Sequence, residues 1–246
     1  MEWYWILAIV LGSVLLLFLL SWLLYKPFFK RFWDIVLSGL AILVLSPFLI
    51  IFIILGAIFM RGNPFFTQER PGKKEKIFKL IKFRSMSNKK DENGELLPDE
   101  QRLGKYGKFI RATSLDELPE LFNIFIGNMS LVGPRPLLVR YLPYYSDNER
   151  HRHDVRPGLT GLSQIHGRNY TPWEERFAYD LEYVEKESLF FDISVILKTI
   201  GVIFSRKGVA DRTKISKDEN GNLWIEINGE KKKYPQPLDI ERKTKQ

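Results

Sequence analysis

The chain has 246 residues, no cysteine, 37 basic against 29 acidic residues and a net charge of +8. That length suits one sizeable domain plus membrane segments, and the missing cysteine excludes disulfides and thiolate metal sites. Charge is unevenly placed: residues 1–60 hold only Glu2, Lys26, Lys30, Arg31 and Asp34, so the remainder carries +7 of the +8 and suits anionic lipid, nucleotide phosphate or nucleic acid.

Trp3 to Tyr25 is uncharged for 23 residues. As helix this is roughly 34 Å, enough to cross a ~30 Å hydrocarbon core. A cleaved signal would want a positive start and a shorter apolar run, whereas here Glu2 leads. Ile35 to Met60 is uncharged for 26 residues but divided by Ser46-Pro47. Proline lacks an N–H and collides with the carbonyl four residues back, here Leu43, for which the Ser46 hydroxyl is a nearby donor. Each half reaches only about 17–20 Å. Lys26, Lys30 and Arg31 precede the segment; Arg61, Arg70, Lys73, Lys74 and Lys76 follow it. Positive flanks prefer the cytoplasm, so both ends are expected on that side and the segment is expected to dip in and return.

Phe65 to Arg70, Pro71-Gly72 and Glu75 to Met86 predict two strands around a tight turn. Lys82 and Arg84 then share a face of the second strand. Asp91-Glu-Asn-Gly94 predicts a polar turn. Leu118, Leu121, Phe122, Phe125 and Ile126 predict one buried helical face. Trp173, Phe177, Leu181 and Val184 repeat at helical spacing. Asp192 opens an apolar helix, Ile193 to Phe204, expected either on the bilayer through Phe190 and Phe191 or in the core. Leu223–Ile227, Asn228-Gly229 and Lys231–Tyr234 predict a terminal hairpin.

Ser114-Leu-Asp116-Glu117 has the spacing of a helix capping box. Pro119 argues against a start at Ser114, because it would then lose a helical hydrogen bond. A start near Leu115 or Asp116 puts both acids at a helix mouth, beside N–H groups that attract phosphate. Neighbouring helical residues point about 100° apart, so the two carboxylates cannot do one job. Whichever carboxylate attacks phosphate would need its charge screened, with Lys82, Arg111, Arg135 or a divalent ion as candidates. Arg135 lies between two prolines that restrict the chain before them, which suits a pre-set guanidinium for bidentate phosphate binding. His151-Arg-His153-Asp154 is only a weak metal pattern. Arg156-Pro-Gly158, Gly161 and Gly167-Arg168-Asn169 are turn signals whose backbone is open to a ligand.

Lys30-Arg31-x-x-Asp34, Ser46-Pro47, Lys82-Phe-Arg-Ser-Met86, Ser114-Leu-Asp116-Glu117-Leu-Pro119, Ser130-Leu-Val-Gly-Pro-Arg135-Pro136 and Arg156-Pro-Gly-Leu-Thr-Gly161 together resemble the bacterial sugar transferases. These are the monotopic phosphoglycosyl transferases, and the similarity runs from about Phe28 to Lys207. Further stretches resemble the small-enzyme branch that acts on N-acetylated sugars in glycoprotein assembly. The resemblance implies transfer of a sugar-1-phosphate from a UDP-sugar to polyprenyl (undecaprenyl) phosphate, with release of UMP, as a first membrane step of glycan assembly. It implies a covalent intermediate on Asp116, with Mg²⁺ held there and Glu117 assisting. Lys82, Arg111 and Arg135 would bind phosphates, and Arg84, Arg168 and Asp192 would support the site. Asp192 reads equally as a helix N-cap.

The expected fold is therefore α+β and membrane-associated. It comprises an N-terminal transmembrane helix (1–27), a re-entrant helix broken at Ser46-Pro47 (28–61), a mainly helical cytoplasmic catalytic domain with a small β-hairpin (62–210), and a C-terminal hairpin and tail (211–246). The expected partners are the UDP-sugar, the polyprenyl phosphate and membrane lipid, with no nucleic acid; self-association is left open. The expected location is the cytoplasmic face of a bacterial inner membrane. The added Trp3–Tyr25 span and the terminal hairpin depart from the small-enzyme branch.

Overall fold

Helix α1 (Glu2–Leu23) carries its apolar side chains almost wholly exposed and is joined by a five-residue π turn, Tyr25–Phe29, to helix α2 (Lys30–Met60). The structure, a computed structural model, describes residues 2–166, 171–205, 215–217, 223–227, 230–233 and 237–243. Both helices are long and apolar enough to cross a membrane.

The break expected at Ser46-Pro47 does not interrupt the helix: α2 continues through Pro47 as one element. The Ser46 hydroxyl donates to the Leu43 carbonyl at 2.7 Å, supplying the donor that proline cannot. Both ends of α2 rest on the same globular body. At the start, Lys30 reaches Asp192, Val132 and Tyr183, and the Asp34 carboxylate accepts from Ser130 Oγ and Leu131 N. Midway, Ala41, Ile42 and Leu45 pack on Phe78, Leu80, Leu121, Ile124 and Met129. Toward the end, Leu49, Phe52 and Ile53 pack on Phe83, Tyr106 and Ile110, and Phe59 stacks on Tyr106 with centroids 5.1 Å apart.

The predicted hairpin is present as β1 (Phe65–Pro71) and β2 (Ile77–Phe83), antiparallel from Phe65↔Phe83 to Pro71↔Ile77. Its connection is wider than the tight turn expected at Pro71-Gly72, with Lys74 and Glu75 both at positive φ. The polar turn at 91–94 forms as expected: Asp91 Oδ1 accepts from Asn93 N and Glu95 N, and Gly94 has φ 82°. Helix α3 (Lys105–Ala112) presses Gly107 against the Ser85 carbonyl, where a Cβ would stand 1.8 Å away. Helix α4 (Glu120–Ile126) follows the Asp116 segment.

A two-stranded parallel sheet was not foreseen: β3 (Ser130–Val132) pairs with β4 (Gly158–Thr160), Ser130↔Gly158 and Val132↔Thr160. Helices α5 (Trp173–Lys186) and α6 (Leu189–Ser205) close the body. Near the C-terminus β5 (Ile215–Lys217), β6 (Leu223–Ile227) and β7 (Glu230–Lys233) form a three-stranded antiparallel sheet, one strand more than the expected hairpin. The Asn228-Gly229 turn lies outside the described residues. A short helix, α7 (Leu238–Lys243), seats the fully buried Leu238 among Leu137, Tyr141, Tyr145, Trp173 and Phe177.

Two amphipathic expectations need correction. In α4 the buried positions are Glu120, Leu121, Asn123 and Ile124, while Phe122, Phe125 and Ile126 are exposed. The helix packs along α2 and β2, so its inward face is turned from the one the apolar spacing suggested. In α6 the core reading holds in part: Val195 is buried and Phe191 packs against the core beside Tyr183, not outward with Phe190, whereas Phe190, Ile193, Leu197 and Ile200 form an exposed stripe.

Candidate active site

Five segments of the fold converge on the adjacent carboxylates. Strand β2 brings Lys82, the chain just after it Ser85, helix α3 Arg111, the first turn of α4 Glu120, and the loop after β3 Arg135. Ser114, at φ 56°, turns the chain after α3 into a 3₁₀ turn, Leu115–Glu117; Leu115 and, just past the turn, Leu118 pack toward α2. Pro119, at φ −64°, then leads into α4 without interrupting it.

The capping box does not form. Ser114 is left-handed and makes no side-chain cap, and Glu117 turns instead to cations. Around the acids the N–H groups of Glu117, Leu118, Leu121 and Phe122 bond the carbonyls of Ser114, Leu115, Leu118 and Pro119.

Glu117 Oε1 accepts from Lys82 Nζ at 2.7 Å and from Arg135 Nη2 at 2.7 Å. Lys82 also reaches Glu120 Oε1 at 3.0 Å. Burial alone would raise the Glu117 carboxyl, but Arg135 and Lys82 outweigh it and hold it well below the usual range. Glu120 shifts upward, because burial and the Glu117 charge exceed the help from Lys82. Asp116 forms no ion pair among the described residues. Burial and then Glu117 push its carboxyl up, opposed by Lys82 and Arg111. The adjacent acids are thus electrostatically opposite: one is neutralised by two cations, the other is left more basic and unpaired.

The other sequence candidates are placed as follows. Arg111 donates from Nε to Ser85 Oγ at 2.7 Å and lies close enough to act on Asp116. Arg84 donates to the Phe65 carbonyl at 3.1 Å, bracing the hairpin end beside the cluster. Asp192 sits in a separate buried node, accepting from Lys30 (2.5 Å), Tyr25 (2.6 Å) and Tyr183 (2.8 Å). It lies inside the first turn of α6 and ties that helix to the start of α2. Arg168 lies outside the described residues. Gly158 and Gly161 are not open to a ligand: a Cβ on either would strike Gly133 backbone atoms, at 2.1 Å and 2.2 Å.

Three residues of this region were not singled out by the sequence reading: Glu120, Asn123 and Arg152. Asn123 is fully buried and bridges α4 to β2, donating to the Lys79 carbonyl (2.8 Å) and accepting from Ile81 N (3.0 Å). The available signal was a polar residue within an apolar helical stretch.

Among the described residues no three His, Asp or Glu side chains cluster as a metal cage. His151 is exposed and paired with Asp154 at 2.9 Å, and His153 is buried. A Mg²⁺ ion is commonly held by one or two carboxylates plus substrate phosphates and water. Asp116, a carboxylate without an ion pair, fits that mode.

A pair of unlike carboxylates set among cations is the candidate site of an α+β protein that carries two helices long and apolar enough to cross a membrane. The sequence model described as bacterial sugar transferase matches residues 25–206, and the chain belongs to that family and is a transferase. An uncharacterized sugar transferase, EpsL, of Bacillus subtilis (strain 168) is 44% identical over 181 residues, covering 73% of this chain and 89% of that protein. The UDP-glucose:undecaprenyl-phosphate glucose-1-phosphate transferase of Klebsiella pneumoniae is 38% identical, covering 70% of this chain and 39% of that protein. The undecaprenyl-phosphate galactose phosphotransferase of Salmonella typhimurium (strain LT2) is 37% identical, covering 74% and 41%. The chain thus spans about four tenths of the length of these last two relatives.

Proposed function

We propose that this transferase moves a sugar-1-phosphate from a UDP-sugar to polyprenyl phosphate at a membrane surface, in two displacements through Asp116. The names of the Klebsiella and Salmonella relatives support a sugar-phosphate donor and an undecaprenyl phosphate acceptor. The observation that carries the chemistry is the division of labour between Asp116 and Glu117. An unpaired carboxylate whose basicity is raised is the better nucleophile, and its neighbour already holds the cations that the incoming phosphates need.

In the first displacement an Asp116 carboxylate oxygen bonds to the sugar-bearing phosphorus of the donor. The bond from that phosphorus to the bridging oxygen breaks, and UMP leaves with the bridging oxygen and its electron pair. In the second, an oxygen of the polyprenyl phosphate bonds to the same phosphorus and the Asp116 oxygen leaves, giving polyprenyl-diphosphate-sugar and free carboxylate. Lys82 and Arg135 exchange part of their contact with Glu117 for the donor phosphates, and Arg111 screens Asp116. A bound Mg²⁺, held by Asp116 and the donor phosphates, would supply further charge neutralisation. Two half-reactions let a water-soluble donor and a lipid acceptor use one site in turn.

The membrane reading belongs to the same proposal. Helix α2 enters and leaves the bilayer on one face, with the catalytic domain cytoplasmic. Contacts of both its ends with one globular body support this, as do the positive residues at both flanks. The chain has no cysteine, so single cysteines at Phe28→Cys and Asn63→Cys can be labelled from either side of sealed vesicles. Labelling of both from the cytoplasmic side is expected; labelling from opposite sides refutes the arrangement.

The chemistry is tested with detergent-solubilised protein, undecaprenyl phosphate and a panel of UDP-sugars, reading UMP release and protein mass. One sugar is expected to give UMP and a protein adduct heavier by its sugar phosphate. Asp116→Asn should lose both. An adduct that persists in that variant refutes the nucleophile.

A further inference from the structure

The two prolines around Arg135 create a local difficulty that the fold resolves with side chains. Pro134 and Pro136 have no N–H, and the β3–β4 pairing ends at Val132↔Thr160, so the loop cannot continue a ladder. Its three successive carbonyls are each taken by a donor from elsewhere. Pro134 O accepts from Gly158 N at 3.0 Å, Arg135 O from Arg152 Nη2 at 2.8 Å, and Pro136 O from Arg70 Nη1 at 3.2 Å.

Of these donors Arg152 is the most firmly held. It is 2% exposed and donates through Nε (3.1 Å) and Nη2 (2.7 Å) to Asp180 Oδ2, while Asp180, 1% exposed, takes Ser163 Oγ on its other oxygen at 2.9 Å. The guanidinium also lies 5.7 Å from the ring centroids of both Tyr145 and Phe177. A buried ion pair is a poor source of net stability, since apolar residues of similar volume often replace one at no loss. What an apolar pair could not supply is the further N–H bond to the Arg135 carbonyl. That bond sets the backbone from which the Arg135 side chain reaches Glu117.

We infer that Arg152, oriented by Asp180, is a positioning residue that fixes the backbone of Arg135 so that its guanidinium is pre-aimed at the donor's diphosphate. This rests on the reading of Arg135 as a phosphate-binding residue. Arg152 touches no reacting atom; it acts through Arg135.

The test is calorimetric binding of UDP to the full-length, detergent-solubilised protein, with thermal unfolding of the same samples. Two variants remove the carbonyl bond differently. Arg152→Met with Asp180→Leu removes the whole pair without stranding a charge. Arg152→Lys keeps a cation on Asp180 but lacks the fork that reaches both partners. Each is expected to weaken UDP binding about tenfold, measured well below the unfolding temperature of every variant. Combined with Arg135→Ala, neither should weaken binding beyond Arg135→Ala alone, which a purely structural role for the pair would not produce. Unchanged UDP affinity in Arg152→Lys, or losses that multiply with that of Arg135→Ala, overturns the inference. If Arg135→Ala itself leaves UDP affinity unchanged, the phosphate-binding role of Arg135 fails first, and the inference falls with it.

Discussion

Replacing Asn123 with leucine removes a side chain that stitches α4 to the backbone at the open edge of β2. Strand β2 has a single strand neighbour, β1, so its other edge carries backbone groups that need partners. Asn123 meets two of them, accepting from Ile81 N and donating to Lys79 O, from a fully buried position. Leucine keeps the branching and the number of side-chain heavy atoms, though its methyl groups are bulkier, and it offers neither donor nor acceptor. An unmet buried amide or carbonyl costs about 1–3 kcal/mol. Because this edge is only partly covered, the pair should cost about 2–4 kcal/mol in total. For a chain of this size that is a fall in unfolding temperature of roughly 4–16 °C. The loss has a functional consequence as well. Lys82 lies one residue beyond Ile81, and Glu120 lies one turn before Asn123, so the same bridge holds the Lys82–Glu120 and Lys82–Glu117 pairs in register. UMP release in Asn123→Leu, measured well below its unfolding temperature, should therefore fall with it. Amide hydrogen exchange gives the sharpest check, because the Ile81 amide should lose protection while its neighbours across β1 keep theirs. An unfolding temperature within 2 °C of the parent, with Ile81 still protected, would refute the reasoning, 2 °C being about the shift that 0.5–1 kcal/mol produces.

Three further outcomes are expected. Ser46→Ala leaves the Leu43 carbonyl without its donor beside Pro47 and should cost about 0.5–1.5 kcal/mol, the usual net range for a hydrogen bond; unfolding in detergent micelles reads it, and an unchanged midpoint counts against the role given to that hydroxyl. His153 is held neutral, its pKa brought down to about 3 by burial and then by Arg152. With an unfolded value near 6.5, the unfolded chain binds the extra proton first, so stability falls as pH drops below about 6.5, by roughly 2 kcal/mol between pH 7 and pH 5. His153→Gln should flatten that part of the stability–pH curve, and curves of equal slope would show that the imidazole is not the group responsible. Leu238→Ala empties a fully buried site against Trp173, Tyr141 and Phe177 and should cost about 2–5 kcal/mol in a denaturant titration; a loss below 1 kcal/mol would mean that the C-terminal helix is only loosely seated.

What could be read in the sequence was what depends on local covalent geometry. Proline at position 47 must free the Leu43 carbonyl, and a serine one residue earlier can answer it; the structure holds that bond. Adjacent carboxylates cannot face the same way, and Glu117 is indeed the one bound to Lys82 and Arg135 while Asp116 forms no ion pair among the described residues. Ser114-x-x-Glu117 misled because the capping pattern is also local, yet two cations from distant segments offered Glu117 a stronger partner than the serine N–H, and Ser114 went left-handed. Arg152, Asp180 and the interlocked glycines at 133, 158 and 161 were hidden for another reason. The glycines meet through the parallel β3–β4 pairing, which joins strands separated by the whole 133–157 stretch, and Arg152 meets Asp180 across a comparable distance in the chain; neither leaves a periodic trace. A trace did exist for Asp180. Trp173, Phe177, Asp180 and Tyr183 occupy one buried helical stripe of α5, and a carboxylate on such a stripe must have a cation brought to it from elsewhere. Glu120 and Asn123 interrupt the buried side of α4 in the same way. The polar residues that break an apolar stripe, which a pattern reading treats as noise, are here the ones that fasten Lys82 and Arg135 in place.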